Sequence, residues 1–216
     1  MHSGDGCRHG ASACPPRAPP HPRRGSRAPE LDEFWQIVDL VIEAIPDRHG
    51  EACTCCGATL DEHDRHVRLL LPDRIADRPE AERLQGVGLS NSDPSRAHFL
   101  EAAAYGCFVR SLLRVRLTDG YSLTYGLWVR VTPETAQRLG RVWDNEDYFG
   151  LRFEGWLGNA LPGLGHLDAP VTVGVVLAGD LPRILGSTDA ALQAALSETH
   201  DRVPVLEAAG HRAQLS

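Results

Sequence analysis

Residues 107–132 read CFVRSLLRVRLTDGYSLTYGLWVRVT, and the register in which the two halves of this stretch pair decides the fold. Apolar and polar residues alternate on both sides of Asp119-Gly120, the period-two pattern of strands with one buried face. A two-residue Asp119-Gly120 loop is the commonest hairpin connection. Here it sets Trp128 opposite Ser111 and Arg130 opposite Val109, mixing apolar and charged residues on both faces. A three-residue loop, Thr118-Asp119-Gly120, with Gly120 left-handed in a G1 bulge, stacks Val109, Leu113, Val115 and Leu117 beside Tyr121, Leu123, Tyr125, Leu127 and Val129. That register makes one face core. It leaves Arg110, Arg114, Arg116 and Arg130 on the other face with Trp128, which stands opposite Arg110 within cation–π reach.

Outward from the hairpin, Thr132 and Pro133 read as the N-cap and first residue of a helix with Ala136, Leu139 and Trp143 on one face. Residues 148–157 form a strand and 159–165 a Pro/Gly turn. Residues 170–178 form a Val-rich strand and 181–185 a short one. Ser187 or Thr188 caps a last helix to about Thr199, and 203–209 adds a closing helical piece. On the other side, 97–105 is a helix or a strand, and 68–96 is a long Pro- and charge-rich connection. The pattern predicts an α+β fold with a mainly antiparallel sheet around the 107–132 hairpin, helices packed on it, and one domain over 53–210.

At 216 residues the chain has the length of one domain with one core. Its 22 basic residues are all Arg, and the net charge is −7. Residues 1–29 hold five Arg against one Asp, so the remainder carries 17 Arg against 28 acids. An acidic body argues against broad nucleic-acid binding. No run approaches the about 20 apolar residues of a membrane span, and 1–29, rich in Pro, Arg, Gly and His, lacks the apolar segment of a signal peptide. A disordered tail over 1–29 and a cytoplasmic protein are the expectations. Between 30 and 46, Leu31, Phe34, Trp35, Val38, Val41, Ile42 and Ile45 recur at helical spacing until Pro46 stops the pattern. The polar face of this helix is acidic, so its stripe suits packing or a homo-oligomer contact through 31–45 better than a membrane surface.

The six Cys, at 7, 14, 53, 55, 56 and 107, make a poor disulfide framework. Cys53 and Cys56, followed by Gly57, have the spacing of a zinc knuckle, in which a turn aims two thiolates at one tetrahedral ion. That is half a site. Cys55, His63, His66, His98 and Cys107 are the available completions, none at diagnostic spacing, and the plainer reading is a loop of reduced thiols. A thioredoxin-type redox pair is less apt, since no amphipathic helix follows.

These motifs together resemble the bacterial domain-of-unknown-function family 2199: Cys53-x-x-Cys56-Gly57, Phe108-Val109-Arg110, Gly126-Leu127-Trp128-Val129, Phe153-x-Gly155-Trp156-Leu157-x-Asn159-x-Leu161-Pro162, and Thr188-Asp189 opening the last helix. The resemblance spans about 53–210. It implies a compact cytosolic bacterial domain and no established activity. Two departures stand out. Where members carry Asp-x-Cys before the Phe-Val-Arg motif, this chain has His98 and Leu100, or Asp93-Pro94-Ser95 if an insertion intervenes. Where they carry His-Pro-Leu-Ala after Thr-Asp, it has Ala190-Ala191-Leu192-Gln193. Both weaken an enzyme reading.

Two functions follow. The first is a non-catalytic binding or regulatory module whose face is Arg110, Arg114, Arg116, Trp128 and Arg130, suited to an acidic protein or a small anionic ligand, since guanidinium groups pair with carboxylates and stack on aromatics. A covering helix or neighbouring acids are the competing reading of that face. The second is an enzyme with a cleft near Gly155-Trp156-Leu157-Gly158-Asn159 and Asp189, His166 or His200 as acid–base groups. No spacing fixes a reaction class, and a packing role with Trp156 in the core accounts for the same motif.

Overall fold

β4 (Gly106–Leu117) and β5 (Ser122–Val131) pair antiparallel with Arg110 opposite Trp128 and Arg116 opposite Ser122. This is the register set by the three-residue turn. Leu117 N donates to Tyr121 O at 2.8 Å, and Gly120 is left-handed at φ 77. Asp119 is left-handed too, at φ 59, a conformation that Asp tolerates better than most side chains. The computed structural model describes residues 64–143, 145–177 and 179–214. The expected tail over 1–29, the 30–46 helix with its oligomer contact, and Cys53, Cys55, Cys56 and His63 lie outside the described residues.

Each outer edge of this long pair is shared between neighbours, so the sheet forks. Along β5, the first half takes β1 (Asp64–Arg68) in parallel and the second half takes β6 (Arg152–Leu157) antiparallel. Along β4, the first residues pair with β3 (Phe99–Ala102), which carries β2 (Val87–Leu89) beyond it. β7 (Pro170–Gly174) adds to β6 and β8 (Arg183–Gly186) to β7. β8 then returns to β4 in parallel at Leu112, whose N–H donates to Pro182 O at 2.8 Å. The circuit β4-β5-β6-β7-β8 is a five-strand barrel. A two-residue β9 (Thr199–His200) also joins β4 in parallel. The class is α+β and the sheet is mixed: among the described residues six pairings are antiparallel and three are parallel, the parallel ones being those of β1 with β5 and of β8 and β9 with β4.

Inside the barrel lie the residues that the alternation points inward, among them Val109, Leu113, Val115, Leu123, Tyr125, Leu127 and Val129, all buried. α2 (Pro133–Val142) closes one end, its N-cap Thr132 accepting from Thr135 N and its Ala136, Leu139 and following Trp143 packed inward. α3 (Ala190–Ser197) is capped by Asp189, which accepts from Leu192 N at 2.8 Å, one or two residues later than expected. α4 (Arg202–Gln214) ends the described chain. A second, smaller core sits outside the barrel wall. There Phe108 and Trp128 meet Leu71, Ile75 of the short helix α1 (Asp73–Ala76), Ala97, Leu100 and Ala102. No helix of the described residues is long and apolar enough to cross a membrane.

Candidate binding face

The outer face of the hairpin is divided into a buried half and an open half. Arg110 and Trp128 face each other as the register demands, the guanidinium 4.2 Å from the indole ring. Neither is on a free surface, for both are fully buried beneath residues 69–76 and 94–102. The Arg110 guanidinium donates to Ala97 O (2.9 Å), Leu69 O (3.0 Å), Leu70 O (3.3 Å) and Pro94 O (2.9 Å), and the Trp128 indole N–H donates to Leu70 O (3.0 Å). This corrects the expectation of an open Arg110–Trp128 surface. Carbonyl oxygens of the covering loops thus solvate the charge, which is how a buried guanidinium is tolerated away from water.

Asn159 braces the same layer from below. Its Oδ1 accepts from Trp128 N (2.9 Å), and its Nδ2 donates to Leu71 O (2.8 Å) and to Asp73 Oδ1 (2.9 Å). Asp73 Oδ2 in turn accepts from Ala160 N (2.8 Å). Gly155 lets β6 press on β5: an added Cβ would lie 2.5 Å from Val129 Cγ1 and 2.6 Å from Arg130 O. The 155–159 motif therefore works as a joint between β5, β6 and α1. Two of the acid–base candidates are engaged locally, Asp189 capping α3 and His200 Nε2 lying 2.7 Å from Ala195 O, while His166 sits at a left-handed bend with φ 73.

His98 is a different case. It stacks on Trp143 with ring centroids 5.5 Å apart, and its buried Nδ1 has no hydrogen-bond partner among the described residues. Burial, reinforced by the Arg110 and Arg68 charges, pushes its pKa down to about 4. As a metal ligand it stands apart from His66. His66 pairs with Thr124, which faces Arg114, whereas Arg110 N donates to His98 O (2.8 Å), four residues away along β4. That is about 13 Å of strand, with two strands between, far beyond one tetrahedral site. Cys107 is a buried free thiol whose pKa burial raises to about 11. Among the described residues no three metal-ligating side chains converge.

The open half of the face centres on Trp156. In β6 Phe153, Gly155 and Leu157 are the buried positions, and Arg152, Glu154 and Trp156 alternate with them on the exposed side. Trp156, expected in the core, is 38 % exposed. Arg130 pairs across from it and lays its guanidinium 5.3 Å from the indole centroid. From α1, Arg74 donates to Asp168 Oδ2 at 2.5 Å, and the other oxygen of Asp168 lies 3.9 Å from Arg130. All of these side chains are at least a third exposed. Arg114 and Arg116 sit nearer the turn, donating to Ser122 Oγ (2.9 Å) and to Ser197 O. Arg130 lies six residues along β5 from Thr124, the partner of Arg114, about 20 Å away. The four arginines thus form no common patch. Sequence reading missed Trp156, Arg74 and Asp168, although the alternation in 152–157 carried the signal for Trp156.

A family model described as an uncharacterised protein conserved in bacteria, DUF2199, matches residues 52–193. The chain belongs to this family. The DUF2199 match runs through the whole barrel and into α3, ending before β9 and α4. It contains the hairpin, the Arg110–Trp128–Asn159 joint and the Arg74–Arg130–Trp156 face. No curated protein and no solved structure matches the chain.

Proposed function

We propose that this DUF2199 protein is a cytoplasmic, non-catalytic binding module that grips carboxylates of an acidic partner protein through Arg130, Arg74 and Trp156. The observation that carries the reading is the Arg130 guanidinium laid over an exposed indole, beside a second exposed guanidinium. A stacked guanidinium keeps its edge N–H groups free for a planar carboxylate, and the indole adds apolar area at low entropic cost. Of the arginines first read as a face, Arg130 is the one this proposal keeps.

The test is calorimetric titration of the full chain with a short poly-Glu peptide, against an uncharged Gly-Ser peptide. Replacing Arg130 and Arg74 by Gln should weaken poly-Glu binding by about tenfold or more, because hydrogen bonds to charged groups contribute roughly 1.5–3 kcal/mol each. Replacing Arg114 and Arg116 by Gln should leave it within about twofold, as expected for surface changes away from a contact. Poly-Glu binding unchanged by the Arg74/Arg130 pair would overturn the proposal.

A further inference from the structure

We infer that Asp168 is an internal competitor for this face, a tethered carboxylate that a partner's carboxylate must displace. The inference rests on the proposed function and adds how that function is regulated. Three observations carry it. The group already seated between the two guanidinium ions is a carboxylate, 2.5 Å from Arg74 and 3.9 Å from Arg130. It is supplied by a left-handed residue: Asp168 has φ 60, and His166 two positions earlier has φ 73. The backbone thus departs from the usual side-chain-bearing conformations where it delivers this group. Finally, the main chain there is fastened independently of the carboxylate, with Asp168 N donating to Leu157 O (2.9 Å), Leu157 N to Ala169 O (2.9 Å) and Ala169 N to His166 O (3.2 Å). Rotation of one side chain therefore frees the face without moving the sheet.

Charge complementarity fixes the occupant as an acidic peptide segment. Its carboxylate takes the place of one carboxylate for another at two arginines, and the neighbouring indole receives the adjoining peptide. The contact is monodentate at Arg74 and loose at Arg130, which leaves an incoming carboxylate room to do better at both. Exposed ion pairs each favour closure by a factor of a few, so the open fraction is about a tenth to a third. Apparent affinity is reduced by that fraction.

Titration with the same poly-Glu peptide tests this in Asp168→Asn and Asp168→Gly, two residues that accept a left-handed conformation and so preserve the loop. Binding about three- to tenfold tighter in both, with the gain abolished by adding Arg130→Gln, is the expected result. Equal affinity in parent and variants would overturn internal competition and leave the binding face standing. Weaker binding in both, with unfolding midpoints unchanged, would make Asp168 a positioning residue and overturn it likewise. Absence of binding in parent and variants alike would overturn the face and the competitor together.

Discussion

Arg110 lies directly across the β4–β5 pair from Trp128, its guanidinium 4.2 Å from the indole, and both side chains are sealed from solvent by the loops whose carbonyls accept hydrogen bonds from the guanidinium. The pair is a fastener between the barrel wall and the covering segments 69–76 and 94–97. Arg110→Met keeps the length and removes the donors, leaving several buried carbonyls unpaired. Stability should fall by about 3 kcal/mol or more, since each unsatisfied buried group costs roughly 1–3 kcal/mol. Urea unfolding measures it. A loss within the ordinary scatter of surface substitutions would contradict the fastening role.

Asn159 and Asp73 act as one unit, joined at 2.9 Å, with their remaining valences on Trp128, Leu71 and Ala160 backbone groups. Asn159→Ala and Asp73→Ala should each destabilise by about 2 kcal/mol or more, and the double variant by clearly less than the sum. Residues in one hydrogen-bond network couple by roughly 0.5–3 kcal/mol. Additive losses in a double-mutant cycle would show that the two side chains serve separate purposes.

His98 makes stability depend on pH. Its folded pKa is lowered to about 4, mainly by burial, below the ordinary value of about 6.5 for the unfolded chain. Between those values the unfolded state holds more protons, so stability is complete above about pH 6.5 and declines as pH falls toward 4, by up to ~1.4 kcal/mol per unit. His98→Phe keeps the stack on Trp143 and should flatten this part of the profile. Parallel profiles for parent and variant between pH 6.5 and 4.5 would refute the assignment.

Gly155 is required by the closeness of β6 to β5 at Val129 and Arg130. Gly155→Ala forces a methyl against backbone and should cost about 1–3 kcal/mol, the range of overpacking in a filled core. It should also loosen Trp156 next to it, seen as a change in indole fluorescence. An alanine variant as stable as the parent would mean that the strands separate freely here.

The hairpin was legible because the turn length and the period-two pattern constrain each other: the three-residue turn, unlike the two-residue one, gathers Val109, Leu113, Val115, Leu123, Tyr125, Leu127 and Val129 on one face and sets Arg110 opposite Trp128 on the other. Thr132-Pro133 was legible for a similar reason, since cap chemistry is local. What covers the other face was not. Residues 69–97 are charged and Pro-rich with no period, and they bury Arg110 and Trp128 through backbone carbonyls, which leave no mark on side-chain pattern. Barrel closure was hidden as well, because β8 meets β4 in parallel at a single residue pair. Trp156 was readable in principle. The sequence Arg-Phe-Glu-Gly-Trp-Leu over 152–157 alternates, but a Trp-Leu pair between Gly155 and Gly158 also suits a packed core, and only the sheet shows which side Trp156 takes.

The measurement that bears most directly on the proposed face is the indole N–H spectrum of the full chain during titration with a short poly-Glu peptide. The chain has four tryptophans, and Trp128 and Trp143 are buried while Trp156 is exposed. Assignment by single Trp→Phe variants separates the signals. A saturable shift of the Trp156 indole, lost in Arg130→Gln, with the Trp128 and Trp143 signals in place, is the predicted result. A Trp156 signal that does not move while poly-Glu binds would place recognition elsewhere and contradict the account.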